Sequence, residues 1–136
     1  MHQIKPKKMR IKITLLIICL TTLIGCNRDA DFVLTGKING LKKGTIYLQR
    51  VEDTTLINLD SLIVNGDSEF EFYAKLKEPQ ILYLTLEKVD AFEYDDRIMF
   101  FAEPGEMTLN TSLKNFESQA AITGSENQIK LEEYNK

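Results

Sequence analysis

Histidine, cysteine and tryptophan are scarce in this chain: its 136 residues hold one His, two Cys and no Trp. So few Cys and His cannot furnish a zinc finger or a multi-disulfide scaffold. Three Pro and seven Gly exclude collagen-like and low-complexity chains. A basic excess is also missing. Seventeen Lys and Arg stand against 20 Asp and Glu, a formal net charge of −3, which argues against a nucleic-acid binder. What remains is an ordinary globular composition, 43% hydrophobic, with enough apolar content for one core and no room for two full domains.

The amino-terminal end has a different composition. Lys5, Lys7, Lys8, Arg10 and Lys12 come with no acidic residue, and an apolar run from Ile13 to Ile24 follows, broken only by Thr14, Thr21 and Thr22. A basic stretch followed by a short apolar one is the pattern of a secretory signal peptide. The run is shorter than the roughly 20 residues a permanent membrane-spanning helix needs. It ends in Leu23-Ile24-Gly25-Cys26, which resembles the bacterial lipobox. In proteins of that type the Cys thiol takes a diacylglyceryl thioether, the preceding peptide is cut, and the new amino terminus is acylated. Cys26 is therefore the expected lipid attachment residue and the membrane the expected partner.

Cleavage before Cys26 sharpens the absences. Residues 1–25 carry five basic side chains and no acidic one, so 17 basic residues fall to 12 against 20 acidic, and the remaining 111 residues carry a formal −8. His2 and Cys19 leave with the signal, and the Cys26 sulfur is occupied by lipid. The expected mature chain then has no His and no free thiol. It cannot perform Ser-His-Asp or Cys-His catalysis, bind metal through His, do dithiol redox chemistry or form disulfides. No catalytic residue, no metal and no cofactor is expected. Asn27-Arg28-Asp29-Ala30-Asp31 reads as a polar tether; Arg28, Asp29 and Asp31 also resemble, imperfectly, a signal that sends some lipoproteins to the cell surface.

From Phe32 onward the apolar residues recur with period two, the mark of strands with one buried face. Phe32, Leu34 and Ile38 form one such set, followed by Ile46 and Leu48, then Phe70, Phe72 and Ala74, and later Met107, Leu109 and Leu113. Ile81–Leu86 and Ile98–Phe101 are apolar on both faces and read as central strands. Asn65-Gly66-Asp67 reads as a hairpin turn, and Glu78-Pro79 and Pro104-Gly105 as further turns. Seven or eight short strands at this spacing predict an all-β, antiparallel sandwich or barrel, and the sandwich is the expected architecture. Ser125-Glu126-Asn127-Gln128 reads as a capping box opening a helix that contains Ile129, Leu131 and Tyr134, has no C-cap, and runs to the end of the sequence. The expected organisation is a signal peptide with its helix over 1–25, a tether over 26–31, a β-sandwich over 32–124 and a C-terminal helix over 125–136.

The order of the pieces carries a resemblance. Phe32-Val33-Leu34-Thr35-Gly36-Lys37-Ile38 is followed by Gly44-Thr45-Ile46-Tyr47-Leu48, by Asp60-Ser61, by Val64-Asn65-Gly66 and by Phe70-Glu71-Phe72. Later come Phe101-Ala102-Glu103-Pro104-Gly105 and Ile122-Thr123-Gly124-Ser125-Glu126-Asn127. Together, from Phe32 to Asn127, they resemble the family called domain of unknown function 4369. The resemblance implies a β-rich module of bacterial lipoproteins, often followed by a helical linker and a thioredoxin-like or peroxiredoxin-like domain. The redox cysteines of that second domain have no counterpart here, so the resemblance carries over fold and location but no catalytic residue.

Other candidates have simpler readings. Glu52-Asp53, Asp95-Asp96 and Glu132-Glu133 pair carboxylates, as calcium sites and glycoside hydrolases do, but without EF-hand spacing they read as solvated surface. The segment from Asp90 to Asp96, with Glu93, is the best of them for calcium. Asp60-Ser61 reads as a strand-end hydrogen bond. Asp60-Ser61-Leu62 and Asp53-Thr54-Thr55 also resemble an O-glycosylation triplet of exported bacterial proteins. Phe70, Phe72, Tyr73, Tyr83, Phe100 and Phe101 read as core aromatics, while Phe92 and Tyr94 read as exposed contacts. The expectation is a non-enzymatic exported lipoprotein with a binding or accessory role and an unidentified protein partner. It would be anchored in the envelope of a Gram-negative bacterium, at the outer membrane on its periplasmic or surface face. The rival readings are the front module of a thiol-disulfide oxidoreductase lacking its thioredoxin-like domain, and a carboxylate-based hydrolase.

Overall fold

The computed structural model describes residues 29–89 and 96–136. The stretches read above as signal peptide and lipobox, with Cys26, and residues 90–95, with Phe92 and Tyr94, lie outside the described residues. The described elements are β1 (Phe32–Asn39), β2 (Lys43–Glu52), β3 (Thr55–Asn65), β4 (Glu69–Ala74), β5 (Gln80–Glu87), β6 (Asp96–Ala102), β7 (Gly105–Ser112), β8 (Ala121–Thr123) and α1 (Glu126–Tyr134). Among the described residues no helix is long and apolar enough to cross a membrane.

The strands form two four-stranded sheets, β4-β1-β7-β8 and β3-β2-β5-β6. The alternating apolar residues supply the layer between them. Phe32, Leu34, Ile38, Ile46, Leu48, Phe70, Phe72, Leu82, Leu84, Leu86, Met107 and Leu109 are all buried in one core. The rings of Phe70 and Phe72 lie 5.5 Å apart, tilted by 30°. The predicted sandwich is the observed architecture, with one refinement. All pairings are antiparallel except β1 with β7, which run parallel, Phe32 opposite Gly105 and Asn39 opposite Ser112. A parallel pair needs a long crossover. Here β2 to β6 intervene between the two strands, and they include the whole second sheet.

Gly36 shows how tightly the first sheet is built. A Cβ at this position would lie 1.8 Å from the Leu109 carbonyl oxygen and 2.6 Å from Cζ of Phe70. The glycine in the Thr35-Gly36-Lys37 fragment is thus required by the close approach of a neighbouring strand and of an aromatic ring from β4.

Two expectations are corrected. Ile98–Phe101 does not lie in a central strand, because β6 is the edge of its sheet. That edge is met by α1: Gln128, buried in the helix, accepts the Phe101 N–H through Oε1 at 2.7 Å. Asn65-Gly66-Asp67 does not close a hairpin either. β3 and β4 belong to different sheets, so the turn is a corner, held by the Gly66 N–H donating to the Lys42 carbonyl at 2.8 Å. The tight hairpin lies one strand earlier, where Glu52 pairs with Thr55 and leaves a two-residue loop, Asp53-Thr54. Both loop residues take positive φ, 46° and 73°.

The helix begins as expected, with Ser125 as N-cap and its Oγ accepting the Gln128 N–H at 3.1 Å. The reciprocal half of a capping box is not seen among the bonds of Gln128, whose side chain turns to β6. The expectation of a helix running uncapped to the last residue is also corrected. α1 stops at Tyr134, and the Asn135 N–H donates to the Leu131 carbonyl at 3.2 Å.

Candidate functional site

Three places gather functional side chains: the outer face of the second sheet, the end where β1 begins, and a groove beside α1. The first arises from strand alternation. Burying Ile46 and Leu48 of β2 and Leu82, Leu84 and Leu86 of β5 turns Tyr47, Gln49, Tyr83 and Thr85 outward. They join a polar row across all four strands. Gln49 Nε2 donates to Asn58 Oδ1 at 2.7 Å, Thr85 Oγ1 donates to Gln49 Oε1 at 2.6 Å, and Arg97 Nε donates to Thr85 Oγ1 at 3.4 Å. The Arg97 guanidinium carbon lies 5.9 Å from the centre of the Tyr83 ring, within cation–π range. The Tyr47 hydroxyl donates to Glu87 at 2.7 Å. Thr85 is only 2% exposed although it points away from the core, because these longer side chains close over it. Ile63, Val51 and Met99 stand exposed around the row. Such a face combines aromatic, amide, guanidinium and apolar groups, which suits recognition.

At the second place the chain enters the fold. The Asp31 carbonyl accepts the Gly105 N–H at 2.8 Å and its Oδ1 accepts the Leu76 N–H at 2.7 Å. Asp29 receives Lys75 Nζ at 2.8 and 2.9 Å on its two oxygens. The hydrogen bond and negative charge of Asp29 raise the pKa of Lys75. Asp29 and Asp31 are therefore docked on the first residue of β7 and on the two residues that follow β4. Close by, Glu103 binds the start of α1: Oε1 accepts the Glu126 N–H at 2.9 Å and Oε2 accepts Asn127 Nδ2 at 2.7 Å. Hydrogen bonding from Ser125 first, then from Asn127 and the backbone of both Glu126 and Asn127, outweighs desolvation and holds the Glu103 carboxyl below the ordinary glutamate range. The positive end of the helix dipole is thus occupied by a carboxylate of the chain itself. Gly124, at φ 100°, makes this approach possible; a Cβ there would lie 2.4 Å from the Glu106 carbonyl oxygen. The Glu103-Pro104-Gly105 and Gly124-Ser125-Glu126-Asn127 fragments are two halves of one joint, which no local reading of either could show.

The third place is a groove of about 480 Å³ between β6, β8 and α1, lined by Ile98, Met99, Ile122, Leu131, Glu117 and Asn135 among others.

The sequence candidates are dispersed. Glu52 and Asp53 sit at the tip of the β2–β3 hairpin, where Glu52 pairs with Arg50. Asp96 pairs with Lys88 at the start of β6, while Asp90, Glu93 and Asp95 lie outside the described residues. Glu132 accepts Gln128 Nε2 at 3.0 Å. Among the described residues no three His, Cys, Asp or Glu side chains come together as a metal site. Asp60 does accept the Ser61 N–H, at 2.8 Å. It does so in the middle of β3, not at its end, beside a bulge where the pairing passes from Leu48–Asp60 to Gln49–Asn58 and leaves Leu59 extra. Bulge and self-bonded amide both interrupt an otherwise open sheet edge. Phe70, Phe72 and Phe100 are core, as expected, and Phe101 is half-buried under α1. Phe116, also core, was not among the expected residues; it lies on the β7–β8 connection, where its carbonyl accepts Thr111 Oγ1 at 2.6 Å.

No curated protein and no solved structure matches the chain. One family model matches residues 32–131, from the first residue of β1 to the middle of α1. That span takes in both sheets, the Glu103–Ser125 joint and Gly36, and the chain belongs to the family described as Domain of unknown function (DUF4369).

Proposed function

We propose that this protein is an exported lipoprotein, anchored through acyl chains on Cys26, whose β domain binds or supports a partner and catalyses no reaction. The observation that carries the anchor is one of register. The sandwich begins at Phe32, and Asp31 is the first residue fully built into it, five positions after the lipobox cysteine. Cleavage before Cys26 would remove residues 1–25 and leave every described strand intact. Each buried CH₂ contributes about 0.8 kcal/mol, so two or three acyl chains hold a protein durably on a membrane. The outer membrane of a Gram-negative envelope is the proposed site. The test is Cys26→Ser with a fatty-acid label: lipid incorporation should vanish and the protein should leave the membrane fraction. Unchanged labelling and membrane association in this variant would end the anchor reading.

The binding role is supported by the face carrying Tyr83, Arg97, Gln49 and Asn58. A pull-down from native membranes should recover a partner with the wild type and lose it with Arg97→Ala and Tyr83→Ala on the same folded domain. Recovery unaffected by either variant would move the binding surface elsewhere.

A second reading has its own support. Ile129 and Tyr134 of α1 are exposed, Tyr134 to 88%, next to the groove lined by Leu131 and Ile122. Such surface suits a further domain, and the module would then be the front part of a thiol-disulfide oxidoreductase. A neighbouring reading frame that continues into a dithiol domain would support this; unrelated flanking sequence would count against it.

A further inference from the structure

The tether is too short to let the domain turn over. Asp31 is held by backbone and side-chain bonds to Gly105 and Leu76. It lies at the end of the sandwich where Phe32 stands opposite Ala74 and Gly105. Five residue steps separate it from Cys26, and a fully extended chain covers at most about 17 Å in that distance. If the Asp29–Lys75 contact is also kept, only three steps are free, about 10 Å.

The opposite end is farther away than that. β1 runs eight residues from Phe32 to Asn39, about 23 Å at the usual rise. Gly40, Leu41, Lys42 and Lys43 lie beyond it. The corner at Gly66 bonds to Lys42 there, and β5 arrives with Glu87 opposite Thr45. To stand the domain on Lys42 and Lys43 with the Asp31 end uppermost, the tether would have to rise past the full length of β1, which exceeds its reach.

We propose that, on the lipid-anchor reading above, this leash holds the Asp29–Lys75 and Glu103–Gly105 end of the sandwich at the bilayer and excludes the inverted pose in which only the Lys42–Lys43 end, with Lys88, meets it. The membrane-facing surface is the end containing Lys75, Lys77, Glu78, Pro104 and the tip of the β2–β3 hairpin.

The experiment places a fluorophore on an introduced thiol in the full lipidated protein, reconstituted in phosphatidylethanolamine–phosphatidylglycerol vesicles that carry a nitroxide on the lipid headgroup. Glu78→Cys and Lys43→Cys report the two ends, and both positions are exposed. Intact mass of the same samples reports lipid on Cys26. With lipid present, the label at position 78 should be quenched more strongly than the label at 43. Equal or stronger quenching at 43 on lipidated protein would overturn the orientation and leave the anchor standing. Absence of lipid on Cys26 would overturn the anchor and the orientation with it. A flexible Gly-Ser insertion between Arg28 and Asp29, longer than the sandwich, should raise quenching at 43 toward that at 78. An asymmetry unmoved by the insertion would overturn the leash as its cause.

Discussion

Gln128 Oε1 accepts the N–H of Phe101 at 2.7 Å, so a side-chain amide from α1 takes the place that a fifth strand would occupy beside β6. The contact satisfies a backbone donor on a sheet edge and joins the helix to the sandwich in one bond. Gln128 is only 4% exposed, so Gln128→Ala leaves the Phe101 amide without its partner under partial cover. The expected loss is about 1–3 kcal/mol. Urea unfolding would measure it, and hydrogen exchange should show faster exchange at Phe101 before any change in β1 or β2.

Glu103 should make the domain acid-sensitive. Its pKa in the folded state lies below its ordinary value. Its contribution is therefore complete above the unfolded value, about 4.3, and is lost as the pH falls through the lower folded value. Glu103→Gln should lower the urea midpoint at neutral pH. It should also flatten the fall in stability on acidification below about pH 5, the upper edge of the window set by that unfolded value. An acid profile identical to wild type would remove Glu103 from the account.

A glycine should stabilise the β2–β3 hairpin. Thr54 is β-branched yet held at φ 73°, a conformation that costs a side-chain-bearing residue roughly 1–2 kcal/mol. Thr54→Gly relieves this and converts the loop to Asp-Gly, a favoured pair for such turns. Part of the gain is offset by the greater freedom of glycine in the unfolded chain. A net rise of about 1 kcal/mol in unfolding free energy is expected, read from thermal or urea melts.

The reverse holds at Gly36. The methyl of Gly36→Ala would meet the Leu109 carbonyl and the Phe70 ring, and overpacking of this kind costs about 1–3 kcal/mol or more. A circular-dichroism melt should show a clear drop; an unchanged midpoint would mean that β1 and β7 can separate without penalty.

How legible the structure was in the sequence follows from the range of each signal. Alternation at Phe32–Ile38, Phe70–Ala74 and Leu82–Leu86 marks the buried face because it is a property of one strand. Membership of a sheet is not. Asn65-Gly66 shows a turn but not that β3 and β4 diverge into different sheets. Ile98–Phe101 shows two apolar faces but not that its strand is a sheet edge met by a helix. Asp53-Thr54 carries little turn signal, since threonine rarely takes positive φ. Glu103 and Ser125 are far apart in sequence, and the Asn58–Gln49–Thr85–Arg97 row draws one residue from each of four strands. Sites assembled in this way have no local pattern to read.

The parallel pairing of β1 with β7 sets an order in time. The hairpin β2–β3 can close as soon as its own residues are available, and β5 can join it soon after. β1 pairs with β4 on one side, but its other side stays unsatisfied until Gly105–Ser112 has been delivered. In a chain that emerges amino terminus first, the first strand out is therefore among the last to be enclosed. Because loop closure over such a separation is slow, the entry strand bearing Phe32 and Leu34 stays exposed longest. During that interval a chaperone or a misplaced neighbour can reach it, which makes β1 the strand where assembly of this domain is most open to failure.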